Sequence, residues 1–273
     1  MNADKLRSAH ETYMREDNVM ARNVVITGAA SGIGKATSKA FLALGDRVFM
    51  TDWKDDTLET AYAELLPVAQ DRMLYKKAAN VAVAEEVAGV EALVREYGGC
   101  DVLVNCAAVF RVGLLHDAPM DDYDFQFDIN VRGIFNTSKA LIPHMLEKQK
   151  GAVINVSSVS GMGGDYNMSL YCATKGAVIA MSRAMAMDYS SKGVRVNIVS
   201  PSAVKTPMFL NGCTEAVLES FRKNMPDKRL CEPEWCANVI VYLASDSADH
   251  LCGVNIPVDG GLTAWNGQPN QEK

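Results

Sequence analysis

Asn23-Val24-Val25-Ile26-Thr27-Gly28-Ala29-Ala30-Ser31-Gly32-Ile33-Gly34 is the stretch on which the fold turns. Its first half is a short, nearly unbroken apolar run, the pattern of a strand buried on both faces. Gly28, Gly32 and Gly34 then lead into a segment with helical spacing. Strand, glycine turn and helix in that order open a doubly wound α/β sheet. Glycine lets the backbone turn tightly and approach a pyrophosphate, and the helix start offers it N–H groups and a favourable dipole. The spacing is GxxxGxG, not GxGxxG. No Gly-Lys-Ser/Thr ending follows, which excludes a nucleotide triphosphatase loop.

The same alternation continues outward. Apolar runs recur at Val24–Thr27, Arg47–Thr51, Met73–Lys77, Asp101–Asn105, Ala152–Ser157, Arg195–Ser200 and Gly253–Val258. Helical spacing fills 32–44, 55–69, 83–97, 121–148, 171–191, 214–224 and 233–245 between them. The pattern predicts a Rossmann-type doubly wound parallel sheet with helices on both faces, in a single domain over 23–262. Residues 1–22 read as an N-terminal extension, with an extra helix over Asp4–Glu16, and 263–273 as a C-terminal tail. The segment Thr206–Arg229 is the least sheet-like. Its apolar residues, among them Met208, Phe209, Leu218 and Phe221, suit a lid over a site at the strand ends.

Composition narrows the function classes. The chain has 273 residues, 27 basic and 33 acidic, a formal charge of −6, and is 48% hydrophobic. That is a globular composition, and the acidic balance argues against nucleic acid as a partner. Apolar stretches such as Val239–Ala244 are far shorter than a membrane span, and Met1–Arg22 lacks the apolar core of a signal peptide. Seven cysteines are scattered without a CxxC pair, and the four histidines form no metal pattern. Free thiols in a reducing cytoplasm, and no metal, are the expectation.

Asp52 closes the second strand. A carboxylate there can hydrogen-bond the ribose hydroxyls of a dinucleotide and repels a 2′-phosphate. Ala29, Ala30 and Trp53 are not basic, and Lys54 is the nearest cation. NAD is favoured over NADP.

Tyr171-Cys172-Ala173-Thr174-Lys175 puts Tyr and Lys four apart, on one face of a helix. Thirteen residues earlier stands Ser158, at the end of the strand Val153-Ile154-Asn155-Val156-Ser157. Ligands bind at the carboxyl ends of such strands. Ser157 competes for the serine role, but a strand would turn it to the opposite side. Ser160 lies further into the following loop.

With these motifs in place, the chain is similar to the short-chain dehydrogenase/reductase family, in its single-domain branch. Thr27–Gly34 resembles the family's cofactor loop. Asn105-Cys106-Ala107-Ala108 resembles its Asn-Asn-Ala-Gly element, with Ala for the final Gly. Asn130-Val131-Arg132-Gly133 resembles the stretch carrying the catalytic Asn. Ser158, Tyr171 and Lys175 fall on the other catalytic positions. Pro201-Ser202-Ala203-Val204-Lys205-Thr206 resembles the Pro-Gly segment beside the nicotinamide, and Val258-Asp259-Gly260-Gly261 the C-terminal signature.

The resemblance implies an NAD(H)-dependent oxidoreductase that interconverts a secondary alcohol and a ketone. It implies catalysis by Asn130, Ser158, Tyr171 and Lys175. Tyr171 is the acid/base, and Lys175 lowers its pKa and holds the nicotinamide ribose. Ser158 positions the reacting oxygen, and Asn130 holds a water linking Lys175 to solvent. The cofactor site would comprise Gly28, Ser31, Gly32, Ile33, Gly34, Asp52, Trp53, Asn80, Val81, Asn105, Tyr171, Lys175, Pro201, Val204 and Thr206. Family resemblance also implies a homotetramer with the helices at 121–148 and 171–191 at an interface.

Ser158, Met162, Tyr166 and Met208 are the substrate candidates. With Phe110, Leu114, Met168 and Phe209 they make a mainly apolar wall, suited to a ring alcohol, a hydroxysteroid or a cyclic diol. Asp165 could meet a polar substituent. His116 is a candidate to face the pocket, and His144 reads as structural. The competing enzyme reading is a 3-oxoacyl thioester reductase, for which basic residues near a 2′-phosphate are missing. A non-catalytic NAD-binding protein is the reading outside enzymology.

Overall fold

The structure, a computed structural model, describes residues 21–69 and 73–268. The helix expected over Asp4–Glu16 lies outside the described residues. The strands β1 (Asn23–Thr27), β2 (Arg47–Asp52), β3 (Leu74–Ala78), β4 (Val102–Asn105), β5 (Gly151–Val156), β6 (Val194–Pro201) and β7 (Asn255–Val258) form a seven-stranded sheet. Its order is β3-β2-β1-β4-β5-β6-β7, and every pairing is parallel. The order reverses between β1 and β4, which sets the crevice at their carboxyl ends.

Period-two alternation builds a core on each face. Val24, Ile26, Met50, Val104 and Ile154 face one side. There they meet Phe41 and Leu42 of α1 (Gly32–Ala43), Leu58 of α2 (Asp55–Leu65), and Ile240 and Leu243 of α9 (Pro233–Ala244). Val25, Phe49, Leu103, Val153 and Val196 face the other. They pack on Val90 and Val94 of α3 (Ala84–Arg95), Leu141 and Met145 of α5 (Gly133–Lys148), and Ala186 of α6 (Ser169–Tyr189). Full burial of a side chain such as Ile26 contributes about 1.5–3 kcal/mol.

The helix expected over 121–148 runs without a gap from Met120 to Lys148, with one π-turn inside it. α4 (Met120–Phe127) runs into a π-turn, Asp128–Arg132, before α5 begins. Asn130 sits in that turn, fully buried. Gly133 follows because the chain crosses Val81 closely: a Cβ there would lie 2.5 Å from Val81 Cγ2. The segment 206–229 folds as α7 (Pro207–Leu210) and α8 (Glu215–Asn224), started by Thr206 and Thr214, whose hydroxyls accept from Phe209 N–H and Val217 N–H.

His144 is structural. Its Nδ1 accepts from Cys100 N–H at 3.1 Å, and its Nε2 lies 2.7 Å from Glu91 Oε1. Among the described residues, no helix is long and apolar enough to cross a membrane.

Candidate active site

The crevice begins where β1 and β4 end. The Thr27 hydroxyl accepts from both Cys106 N–H and Ala107 N–H at 3.0 Å. This clamp brings the two turns together, and Gly28, at φ +65°, faces Ala107 so closely that a Cβ would lie 2.8 Å from Ala107 Cα. Ala108, where the family pattern has Gly, has no positive φ, so the exchange strains nothing.

α1 starts without a cap. Ser31 is extended at φ −156°, and its side chain caps no helix N–H. The opening N–H groups therefore face the crevice unblocked, as an anion-binding helix start requires. Gly34 has no room for a side chain, since its Cβ would lie 2.2 Å from Gly28 O. A Cβ on Gly32, at φ +50°, would meet Thr206 Cγ2 at 2.7 Å. Thr206 therefore reaches over the glycine loop from the far side of the crevice. Ile33 packs inward against the core.

Asp52 holds the end of β2. Its carboxylate accepts from Ala30 N–H at 3.3 Å and Lys54 N–H at 3.4 Å. Trp53 is 44% exposed and stacks on Phe125 at 5.9 Å. The Asn80 side-chain oxygen accepts from Ala82 N–H, and Val81 is buried, with its carbonyl accepting from Asn136. The Asn105 side chain turns away from the crevice. Its amide is buried below the crevice, donating to Asn155 Oδ1 and accepting from Thr137 Oγ1. A buried amide must be paired, so this side chain stitches β4 to β5 and does not reach into the site.

At the opposite wall Pro201 is buried, and the Val204 side chain packs with Cys231 and Cys236. The Val204 carbonyl accepts from Thr206 N–H at 2.7 Å. Ser202, which replaces Gly of the family pattern, has a buried hydroxyl with no hydrogen-bond partner. An orphaned polar atom at the end of β6, an uncapped helix start and glycine cradles that a Cβ would fill fit a dinucleotide.

Ser158, Tyr171 and Lys175 converge at the end of β5. The Ser158 hydroxyl accepts from Ser160 N–H at 3.1 Å and is hydrogen-bonded to Tyr171. The Lys175 ammonium is buried, donates to Val156 O at 2.9 Å, and lies 5.7 Å from the Tyr171 ring centroid. Burial pulls Lys175 down to about 8. Burial also pushes the Tyr171 phenol up to about 12, against the pull of its bond with Ser158. The expected lowering of Tyr171 is therefore absent in the chain by itself. Ser157 turns away, donating to Lys175 O at 2.8 Å.

Asn130 joins this group through its packing. Its side chain donates to Val109 O and Thr174 Oγ1 and accepts from Val109 N–H. Ser160, Gly161 and Thr27 were not among the expected site residues. Gly161 lets the loop lie on α6, where a Cβ would come 2.6 Å from the Lys175 carbonyl carbon. A glycine three residues beyond the serine pair was the sequence signal for that contact.

The mouth is open. Phe110 meets Tyr171 edge-on at 6.2 Å. Gly113 N–H donates to Asn167 O, tying the two flanking loops. Met162 and Met208 are half exposed, and Tyr166 is 93% exposed, so Tyr166 does not line a wall as expected. Asp165 accepts from the Ser160 hydroxyl at 3.1 Å. His116 lies on an exposed turn beside Asp117, away from the pocket role considered for it.

Comparison with known proteins agrees with this geometry. A family model described as enoyl-(acyl carrier protein) reductase matches residues 28–263. Meso-2,3-butanediol dehydrogenase of Serratia marcescens is 41% identical over 260 residues, covering 94% of this chain and 99% of that protein. A 3-oxoacyl-[acyl-carrier-protein] reductase of Thermotoga maritima is 36% identical, covering 87% and 96%. The crystal structure of levodione reductase superposes with a TM-score of 0.86 at 30% identity, covering 89% of this chain and 98% of that one. The chain belongs to the short-chain dehydrogenase/reductase family and is an oxidoreductase that interconverts a secondary alcohol and a ketone.

Proposed function

We propose that this chain is an NAD-dependent dehydrogenase of small vicinal diols or cyclic secondary alcohols. The observation that carries the reading is the meeting of Ser158, Tyr171 and Lys175 across the crevice from an uncapped, glycine-lined helix start. The bound nicotinamide supplies or accepts the hydride. Gly28, Ser31, Gly32, Ile33 and Gly34 cradle the pyrophosphate through their backbone. Asp52 accepts from the adenosine ribose and excludes a 2′-phosphate, with Trp53, Asn80 and Val81 around the adenine. Pro201, Val204 and Thr206 wall the nicotinamide side.

Tyr171 moves the proton on the reacting oxygen, and Ser158 donates to that oxygen and orients it. Lys175, charged beside Tyr171, favours the phenolate once solvent is excluded. The Asn130 amide is committed to Val109 and Thr174, so a water that it steadies for Lys175 sits at its backbone carbonyl. Met162 and Met208 border the substrate, and the helices α7 and α8, joined through the Phe209–Phe221 edge contact, cover it.

The similarity to a protein named butanediol dehydrogenase favours a small diol over a steroid. The Thermotoga relative favours the thioester-reductase reading. Against it stands Asp52, with Lys54 as the nearby cation. Exposed Met120, Tyr123, Phe135 and Met187 on α4, α5 and α6 support assembly into a homotetramer. Free thiols at all seven cysteines support a cytoplasmic setting.

The test is purified protein with NAD or NADP and a panel of butane-2,3-diol, cyclic diols, hydroxysteroids and a hydroxyacyl thioester, read by reduced-cofactor absorbance. Turnover of diol or ring alcohol with NAD is expected. Turnover only with NADP, or only of the thioester, overturns the proposal.

A further inference from the structure

Two thiols meet behind the nicotinamide-side wall. Cys231 pairs with Val204 in a parallel bridge: Cys231 N–H donates to Ala203 O, and Lys205 N–H to Cys231 O, both at 2.9 Å. Cys236 lies near the start of α9. The two sulfurs are 3.6 Å apart, in a small apolar cluster with Val204, Ile33 and Val258.

Among the described residues, this pair combines a partner thiol with an approach. Cys231 lines a cleft of about 520 Å³, walled further by Met225, Arg229, Trp235 and Asp259. That space admits a small oxidant. The proton between the two sulfurs is shared unequally: the bond from Cys236 draws Cys231 down, and Cys236 is pushed up by the same bond and by burial. Cys231 is therefore the more acidic of the two thiols, and the thiolate is the nucleophilic form. By contrast, burial pushes both Cys100 and Cys106 up.

We propose that Cys231 and Cys236 form a redox-modification site, in which a peroxide entering the cleft converts the pair to a reversible disulfide that displaces the wall at 203–206. The Cys231 sulfur attacks one peroxide oxygen, the O–O bond breaks, and a sulfenic acid and water form. The Cys236 thiol then attacks that sulfur, forming the S–S bond and releasing a second water. Two thiols lose two protons and two electrons, and the peroxide gains them. The sulfurs close from 3.6 Å to about 2.05 Å. Cys236 is fixed in α9, which packs along α1. Cys231 is drawn in, and its bonds to Ala203 and Lys205 carry the shift to the wall. Thr206 already touches the glycine loop, so the wall has little slack.

The experiment treats the reduced full-length protein with hydrogen peroxide. Glutamyl endopeptidase cuts after Glu234, between the two cysteines, so the bond joins two peptides that separate on reduction. NAD affinity is measured by calorimetry on both forms. A 231–236 link is expected, with affinity reduced about tenfold, the scale of a small misplacement in a binding wall, and restored by dithiothreitol. Cys231→Ser and Cys236→Ser should each abolish link and response. Absence of the link, linkage to other cysteines, or a link with unchanged affinity overturns the proposal. The effect on affinity rests on the reading of 203–206 as the cofactor wall. Failure of NAD to bind the reduced protein would strike that reading, and a missing link would strike this one.

Discussion

The Ser160 backbone N–H donates to the Ser158 hydroxyl at 3.1 Å, which fixes the direction of the Ser158 proton. With that lone pair occupied, the hydroxyl hydrogen is left for Tyr171 and the substrate oxygen. Ser160→Ala keeps the N–H and should leave kcat within about threefold, whereas Ser160→Pro removes the donor and should lower kcat at least tenfold or so. NAD affinity, measured in parallel, should hold in both. Equal kcat in the two variants would mean that the N–H does not orient Ser158.

Tyr171→Phe removes the phenolic proton and keeps the ring against Phe110. Acid–base catalysis at this position predicts a fall in kcat of about 10²- to 10⁴-fold, with NAD affinity little changed. Steady-state kinetics beside calorimetry separates the two. Near wild-type turnover would assign the proton transfer elsewhere.

Lys175 makes a prediction about stability. Burial lowers its pKa to about 8, from an ordinary value near 10.4. Between those pH values the unfolded chain binds more protons at Lys175 than the folded chain, so stability from this group rises with pH. Below pH ~8 the destabilisation is complete, about 3 kcal/mol. Lys175→Met relieves it but gives up the bond to Val156 O. The variant should be inactive yet more stable at pH 7 by about 1–2 kcal/mol, an advantage that fades towards pH 10. Urea unfolding at both pH values reads this directly, and a less stable variant at pH 7 would contradict the buried-charge account.

Asp52→Asn keeps the shape of the side chain and removes its charge. Relief of repulsion at the 2′ position should move the NADP-to-NAD ratio of kcat/KM towards NADP by about 10- to 100-fold. An unchanged ratio would show that Asp52 does not set the cofactor choice.

The sheet was legible because its signal is local. Each strand run lies close to the observed element, even Gly253–Val258 against Asn255–Val258. Ser158, Tyr171 and Lys175 were legible for the same reason: strand end and helix spacing fix them. Three features depended on distant contacts. The π-turn at Asp128–Arg132 accompanies the bonding of Asn130 to the Val109 backbone. The turning-in of Asn105 needs Thr137 and Asn155. The exposure of Tyr166 follows from loop packing that no periodicity encodes.

The contact between Gly32 and Thr206 gives a two-residue test of the crevice. An Ala at 32 takes on a left-handed φ of +50° and a Cβ 2.7 Å from Thr206 Cγ2. The backbone penalty is about 1–2 kcal/mol, and the clash pushes the two walls apart. NAD affinity of Gly32→Ala should fall about tenfold or more. Thr206→Ser deletes the offending methyl and retains the hydroxyl that accepts from Phe209 N–H. The double variant should therefore recover part of the lost affinity, and only part, because the φ penalty remains. Calorimetry on the four proteins completes a double-mutant cycle. Additive losses would show that Thr206 does not close over the glycine loop in solution. Recovery would place the two walls of the cofactor crevice in contact there.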